Sequence, residues 1–279
     1  MTFLNEIADQ PAVSVQPRAQ GIARVTSKVG LRGSVIRDLH QAGSAKLVFP
    51  RSGDDGLQAV LVNTAGGITG GDRFELSFAA EADTKLTVTT QAAERAYGAQ
   101  AAETGQLMTS LHVGAGARLN WIPQETILFD RCRYSRRLRA DLAADAQLLF
   151  VEPLVFGRTA MGEELRDISF ADRVEIYRNG QPLFCDAMKI KGDGVAHLEH
   201  AAIANGARAM ASVVYVAPDA AAVLDRVRGK LPRSAGASLM GDDVLHIRIL
   251  APDSFLLRAT LIDVLETLSA SPLPKVWTL

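Results

Sequence analysis

Cysteine is almost missing from this 279-residue chain: Cys132 and Cys185 are the only two. Two thiols build neither a disulfide framework nor a four-cysteine zinc site, so a reduced, cytoplasmic setting is expected. An excess of one charge is missing too. Lys plus Arg number 30 and Asp plus Glu 31, a formal net charge of −1. That balance excludes a polyelectrolyte that binds nucleic acid or membrane by bulk charge. No uninterrupted apolar run approaches the ~18 residues of a membrane span; the nearest stretch, residues 201–217, is broken by Asn205 and Arg208. The opening MTFLNEIADQ carries Glu6 and Asp9 and has neither the basic nor the apolar region of a secretory signal. What is present is ordinary for a folded chain, 48% hydrophobic and 22% charged residues, which excludes wholesale disorder. Near-zero charge with a mean hydropathy of +0.09 suits a chain that works inside a complex.

Residues 1–20 read as a flexible leader, and 21–279 as a single domain, β-rich to about 200 and β/α from about 210. Period-two alternation dominates the first part. Phe74, Leu76 and Phe78 alternate with Glu75 and Ser77, and Leu86 and Val88 with Lys85, Thr87 and Thr89. Asn179-Gly180 between apolar runs is a hairpin signal. Past Ser212–Val216, read as a strand, the period lengthens. Helices are expected from Pro218 to about Gly229 and from Pro252 to Leu268, with a strand at Val244–Leu250 between them. The expected fold is mainly β, a stacked-strand sandwich or solenoid-like body with two helices in the C-terminal third. No repeat of fixed period is visible.

Four segments stand out as carriers of chemistry. In AGGITGGD (65–72), the pairs Gly66-Gly67 and Gly70-Gly71 permit close backbone approach and present Asp72. The loop lacks the GxxxxGK[ST] pattern and precedes a strand, so it does not read as a phosphate loop; a tight inter-strand loop is the plain alternative. TTQAAERAYGA (89–99) begins strand-like, ends in helix-tolerant sequence, and offers Gln91, Glu94, Arg95 and Tyr97. WIPQETILFD (121–130) sets Gln124, Glu125 and Asp130 among apolar residues, with Pro123 breaking or edging a strand. A carboxylate in such company must be paired, protonated or metal-bound if buried; an exposed strand edge is the alternative. GRTAMGE (157–163) places Arg158 and Glu163 about a small-residue turn, where an internal ion pair is the plain reading.

Other patterns rank lower. His197 and His200 resemble a metal pair, but on a strand their i, i+3 spacing points them to opposite faces. Arg131, Arg133, Arg136, Arg137 and Arg139 suit RNA or an acidic protein, yet a solvated strand or salt-bridged face is the simpler reading. No G-x-S-x-G elbow is present.

Taken in order, the four segments resemble the urease accessory protein D family, with its P-G-G-I/V-x-G-G-D, T-T-Q-A-A-x-K/R-x-Y, P-Q-E-T-I-x-F-D and G-R-x-A-M-G-E stretches. The similarity is strong from Val62 to Glu163 and weaker to the C-terminus; Ala65 stands where the family usually has Pro. The resemblance implies a maturation chaperone, not an enzyme. Such a chaperone binds apo-urease and, with accessory proteins F and G (the GTPase), enables nickel insertion into the urease active site. It also implies a mainly β, solenoid-like sandwich with two helices. No tightly bound cofactor is expected, only transient Ni²⁺, with neither nucleic acid nor membrane as partner. Raw affinity at N/O sites favours Cu²⁺ over Ni²⁺, so delivery suits a path of weak successive sites. Asp72, Glu125, Asp130 and Glu163 are the candidates to line it. Gly66, Gly67, Gly70, Gly71, Gln91, Tyr97, Gln124 and Arg158 are expected to hold the backbone, pair with those carboxylates or meet partners. The rival readings are a scaffold that never touches nickel and an uncharacterised enzyme using the glycine-rich loop.

Overall fold

Strict alternation buries one face of nearly every strand. In Arg73–Ala80, Phe74, Leu76, Phe78 and Ala80 turn inward while Arg73 and Glu75 stay exposed. The computed structural model describes residues 17–51, 53–100 and 102–278. The leader expected over 1–20 lies outside the described residues up to 16, and Gln20 already opens the first strand.

β1 (Gln20–Gly30) pairs antiparallel with β2 (Gly33–Gly43), and β3 (Ala45–Val48) with β4 (Leu57–Asn63). From there the chain winds between two sheets. β5 (Arg73–Ala80) lies in the first, and β6 (Lys85–Thr90) and short β7 (Glu94–Ala96) in the second. β8 (Gly105–Val113) returns to the first, and β9 (Arg118–Trp121) and β10 (Thr126–Leu128) to the second. β11 (Arg133–Leu142), β12 (Gln147–Phe156) and β13 (Ile168–Arg178) continue the alternation. Successive passes pair in parallel, β5 with β8, β8 with β11 and β11 with β13, which gives the solenoid-like stack expected from the sequence. The passes begin unevenly, at Arg73, Gly105, Arg133 and Ile168, so no fixed repeat shows in the sequence.

β14 (Gln181–Gly192) folds back on β13 through Asn179 (φ 48°) and Gly180 (φ 75°), the left-handed pair a tight hairpin requires. The C-terminal third follows as α1 (Gly194–Glu199), β15 (Ala209–Val216), α2 (Ala220–Arg228), β16 (Ala235–Leu239), β17 (Val244–Ala251) and α3 (Ser254–Leu268). Both expected helices are present. α1 was not expected, and it corrects the strand reading of the histidine pair: His197 lies in α1 and His200 caps it. The stretch after Gln91, read as helix-tolerant, forms β7 instead, because Glu94, Arg95 and Ala96 pair with Thr126, Ile127 and Leu128.

Two apolar layers result. Phe78, Leu111, Leu138 and Phe170 of the first sheet meet Leu86, Leu119 and Phe150 of the second. On the outer face of the second sheet, Val213, Tyr215 and Ile247 are covered by Leu257, Leu261 and Leu265 of α3 and by Trp277. β12 and β15 are therefore buried on both faces, so each reads as a near-continuous apolar run. Among the described residues no helix is long and apolar enough to cross a membrane.

Candidate functional site

Segments distant in sequence meet at one end of the sandwich. A Cβ on Gly67 would stand 2.3 Å from the Tyr97 ring and 2.7 Å from the Arg95 carbonyl, and one on Gly70 would stand 2.7 Å from the Ala99 Cβ. Glycine there lets the 65–72 loop lie against β7, where the Ile68 N–H bonds the Arg95 carbonyl (2.8 Å) and the Tyr97 N–H the Ile68 carbonyl (2.8 Å). The Tyr97 hydroxyl donates to the Gly66 carbonyl (3.2 Å). Its ring meets Phe129 edge-on at 4.9 Å, and the Arg158 guanidinium sits 4.3 Å over the other partner of that stack, Phe129. Arg158 in turn grips Glu163 through Nε and Nη2 (3.1 and 3.0 Å). All four sequence segments thus meet through Gly66, Tyr97, Phe129, Arg158 and Glu163.

The carboxylates picked from the sequence are mostly committed to backbone. Asp72, 4% exposed, accepts from the Ala19 N–H (2.7 Å) and the Thr69 N–H (2.8 Å), tying β1 to the glycine loop. Asp130 Oδ1 accepts from the Arg166 and Asp167 N–H groups (2.8 and 3.0 Å). Glu163 accepts from the Arg158 N–H (3.0 Å). Burial alone would raise its pKa, but the Arg158 side chain and backbone N–H groups outweigh burial and hold it below the usual carboxylate range. Glu125 stands apart, 3.8 Å from Arg258 on α3. Among the described residues no three of His, Cys, Asp and Glu stand close enough together to hold a metal ion. The glycine loop spends its N–H groups at Gly66, Ile68, Thr69 and Asp72 on its own contacts.

The more unusual chemistry lies between the sheets, at residues the sequence reading did not select. Glu152 is 6% exposed and Arg136 4%. Arg136 binds Asp172 with both ends of its fork (Nε–Oδ1 3.0 Å, Nη2–Oδ2 2.6 Å) and reaches Glu152 Oε2 through Nη1. The Trp121 indole donates to Glu152 Oε1 (2.8 Å). Burial pushes Glu152 up to about 7, against the pull of Arg136.

A cavity of about 40 Å³ opens beside this group, with Asn63, Glu94, Gln124, Thr126, Arg136 and Glu152 among its walls. Burial also raises Glu94 above the usual carboxylate value; Asn63 Nδ2, 3.1 Å from its Oε2, works against that rise. On one side the cavity shares Asn63, Thr90 and Glu94 with a surface pocket at Gly66 and Gln91. On the other it shares Glu152 with a second space between the sheets, lined by Asp172, Asp186 and Arg248. Among the described residues Gln124 Nε2, in the cavity wall, is buried without a hydrogen-bond partner. Such an orphan marks a space that takes water or another polar guest. Of the residues expected from the sequence, Gln124, Gln91 and Gly66 border this series; Asp72, Glu125, Asp130 and Glu163 do not line these spaces. Cys132 is fully buried and lines none of these spaces, and burial pushes its thiol up to about 12.

The sequence contained a signal for the interior group. Tyr134, Arg136, Leu138 and Ala140 share one strand face, and Glu152 shares its face with Leu148, Phe150 and Leu154. The arginine run read as a solvated face is corrected accordingly: Arg137 and Arg139 are exposed, while Arg136 points into the sandwich.

The family profile described as UreD urease accessory protein matches residues 19–278. The chain belongs to the UreD urease accessory protein family. It is 53% identical over 255 residues to the urease accessory protein UreD of Ruegeria pomeroyi, covering 91% of this chain and 99% of the relative. It is 50% identical over 264 residues to that of Roseobacter denitrificans (95% and 96%). With that of Rhizobium leguminosarum bv. viciae it shares 43% over 271 residues (96% and 98%). The relatives carry the name of accessory proteins and not of enzymes, and the UreD family similarity spans the helix layer as well as the four loop segments.

Proposed function

We propose that this chain, a urease maturation factor by family, passes nickel toward the urease active site through the polar series of spaces between its sheets. In this reading it acts while holding apo-urease together with accessory proteins F and G. The observation that carries the reading is the line of Glu94, Glu152 and Asp172, continued to the part-exposed Asp186, set in a largely apolar sandwich and accompanied by the orphaned Gln124 amide. Buried charge is expensive to maintain where apolar packing would serve, so a charged seam through a core calls for a use. Carboxylates and water suit a divalent ion in transit, because they attract it without the grip of a thiolate or imidazole cage. Nickel is cargo here, and each site need hold it only briefly.

The loop cluster takes the second role, that of a scaffold. Asp72, Asp130 and Glu163 fix backbone and present Tyr97, Phe129 and Arg158 as one stacked surface. The decisive experiment complements a urease-positive cell lacking this gene and measures nickel per urease active site. Glu94→Gln with Glu152→Gln is expected to lower nickel loading at least tenfold at equal soluble chain. Asp72→Ala with Glu163→Ala is expected to act through the amount of folded chain instead. Full loading with the interior pair removed overturns the conduit and leaves the scaffold alone.

A further inference from the structure

Arg136 stands where the seam narrows. The larger cavity has Arg136 in its wall and the second space has Asp172; among the described residues Glu152 is the lining residue the two share. The ion group Glu152–Arg136–Asp172 is therefore the partition between them. Its carboxylate oxygens are all engaged: Glu152 Oε1 by Trp121, Glu152 Oε2 by Arg136, and both Asp172 oxygens by Arg136. The guanidinium is permanently charged and repels any second cation that approaches the same oxygens. It also has somewhere to go, since the cavity it borders carries the carboxylate of Glu94 on another wall.

We propose that Arg136 is the selecting residue of the seam, a built-in cation that a passing divalent ion must exchange for on Glu152 and Asp172. The inference rests on the conduit reading and adds its control. A dication gains about twice the Coulomb attraction of a guanidinium at equal distance, so it displaces Arg136 where a monovalent ion does not. The displaced guanidinium moves toward Glu94 and so keeps a carboxylate partner, which avoids the penalty of a bare buried charge. As the ion leaves, Arg136 returns and closes the partition behind it. Without cargo the two spaces stay separated, and the seam does not leak.

The test uses the purified full-length chain and Ni²⁺ alone, by equilibrium dialysis. Arg136→Met frees both carboxylates and is expected to bind Ni²⁺ at least tenfold more tightly than the unsubstituted chain. That gain is expected to vanish when Asp172→Asn is added. Should Arg136→Met not yield folded protein, Arg136→Lys decides: a single ammonium replaces the fork, and a gain of at least threefold, again dependent on Asp172, is expected. No gain in whichever variant folds overturns the proposal. The two readings fail separately. A gain in binding together with undiminished urease loading in Glu152→Gln keeps the exchange site and overturns the conduit. Lost loading in Glu152→Gln with no gain in the Arg136 variants keeps the conduit and overturns the exchange.

Discussion

Glu152 and Glu163 are both partnered by arginine, yet their surroundings move their acidities in opposite directions. Glu152 lies between the sheets, where burial raises it to about 7 although Arg136 and Trp121 both bind it. Glu163 lies in the 157–163 turn, where Arg158 and two backbone N–H groups outweigh burial and hold it low. The same contrast separates the interior group as a whole from the loop carboxylates. Asp72, Asp130 and Glu163 are fixed by backbone donors that cannot leave, so they shape the chain. Glu152 and Asp172 face side chains that can rotate, so they can exchange partners, while Glu94 stands between the two classes, accepting from the Asn63 side chain and the Arg95 N–H. A carboxylate's use follows from what holds it, and an ion in transit needs partners that let go.

The largest expected effect comes from breaking the interior group. Arg136→Ala leaves Glu152 and Asp172 without their buried cation and is expected to destabilise the fold by about 3–5 kcal/mol, read from urea unfolding. A value below about 1 kcal/mol would mean that water already screens the seam, and the contrast with the surface pairs would collapse. Next comes Asp130→Ala, which strands the Arg166 and Asp167 N–H groups and is expected to cost about 1–3 kcal/mol. Nickel loading per folded chain should not move with it. Gly67→Ala is expected to cost a similar ~1–3 kcal/mol by driving a methyl against Tyr97. It should also weaken the Tyr97–Phe129 stack, seen as a change in near-ultraviolet circular dichroism.

The last test is the pH dependence, which differs in sign between the two regions. A group raised on folding gives stability that is complete below its unfolded value and lost as pH rises through its folded one. For Glu152 that window runs from about 4.5 to about 7. Glu163, lowered on folding, gives stability above its ordinary value of 4.5 that is lost as pH falls through the lowered one. Unfolding midpoints measured against pH should therefore flatten in the neutral-side window for Glu152→Gln and in the acid-side window for Glu163→Gln. The same window flattening for both would erase the distinction.

Much of the loop cluster was legible because its information is local. Gly67 and Gly70 announce a close backbone approach, and Asn179-Gly180 announces a hairpin, whatever the rest of the chain does. The helix positions were readable for the same reason: Leu257, Leu261, Val264, Leu265 and Leu268 recur at helical spacing after the Asp253 cap. The seam was only half legible. Alternation places Arg136 on the apolar face of β11, a readable signal inside the arginine run, but β12 is apolar on both faces, so nothing local says that Glu152 turns toward Arg136.

By itself the sequence determined a β-rich body, its hairpin, its two longer helices and the four segments of the UreD family, since backbone preference and side-chain period act over a few residues. Only the tertiary structure decided that Arg136 meets Glu152 across the sandwich and Asp172 on the neighbouring strand. That meeting depends on how successive passes of the chain stack between two sheets, a long-range outcome of burying one face of every strand at once.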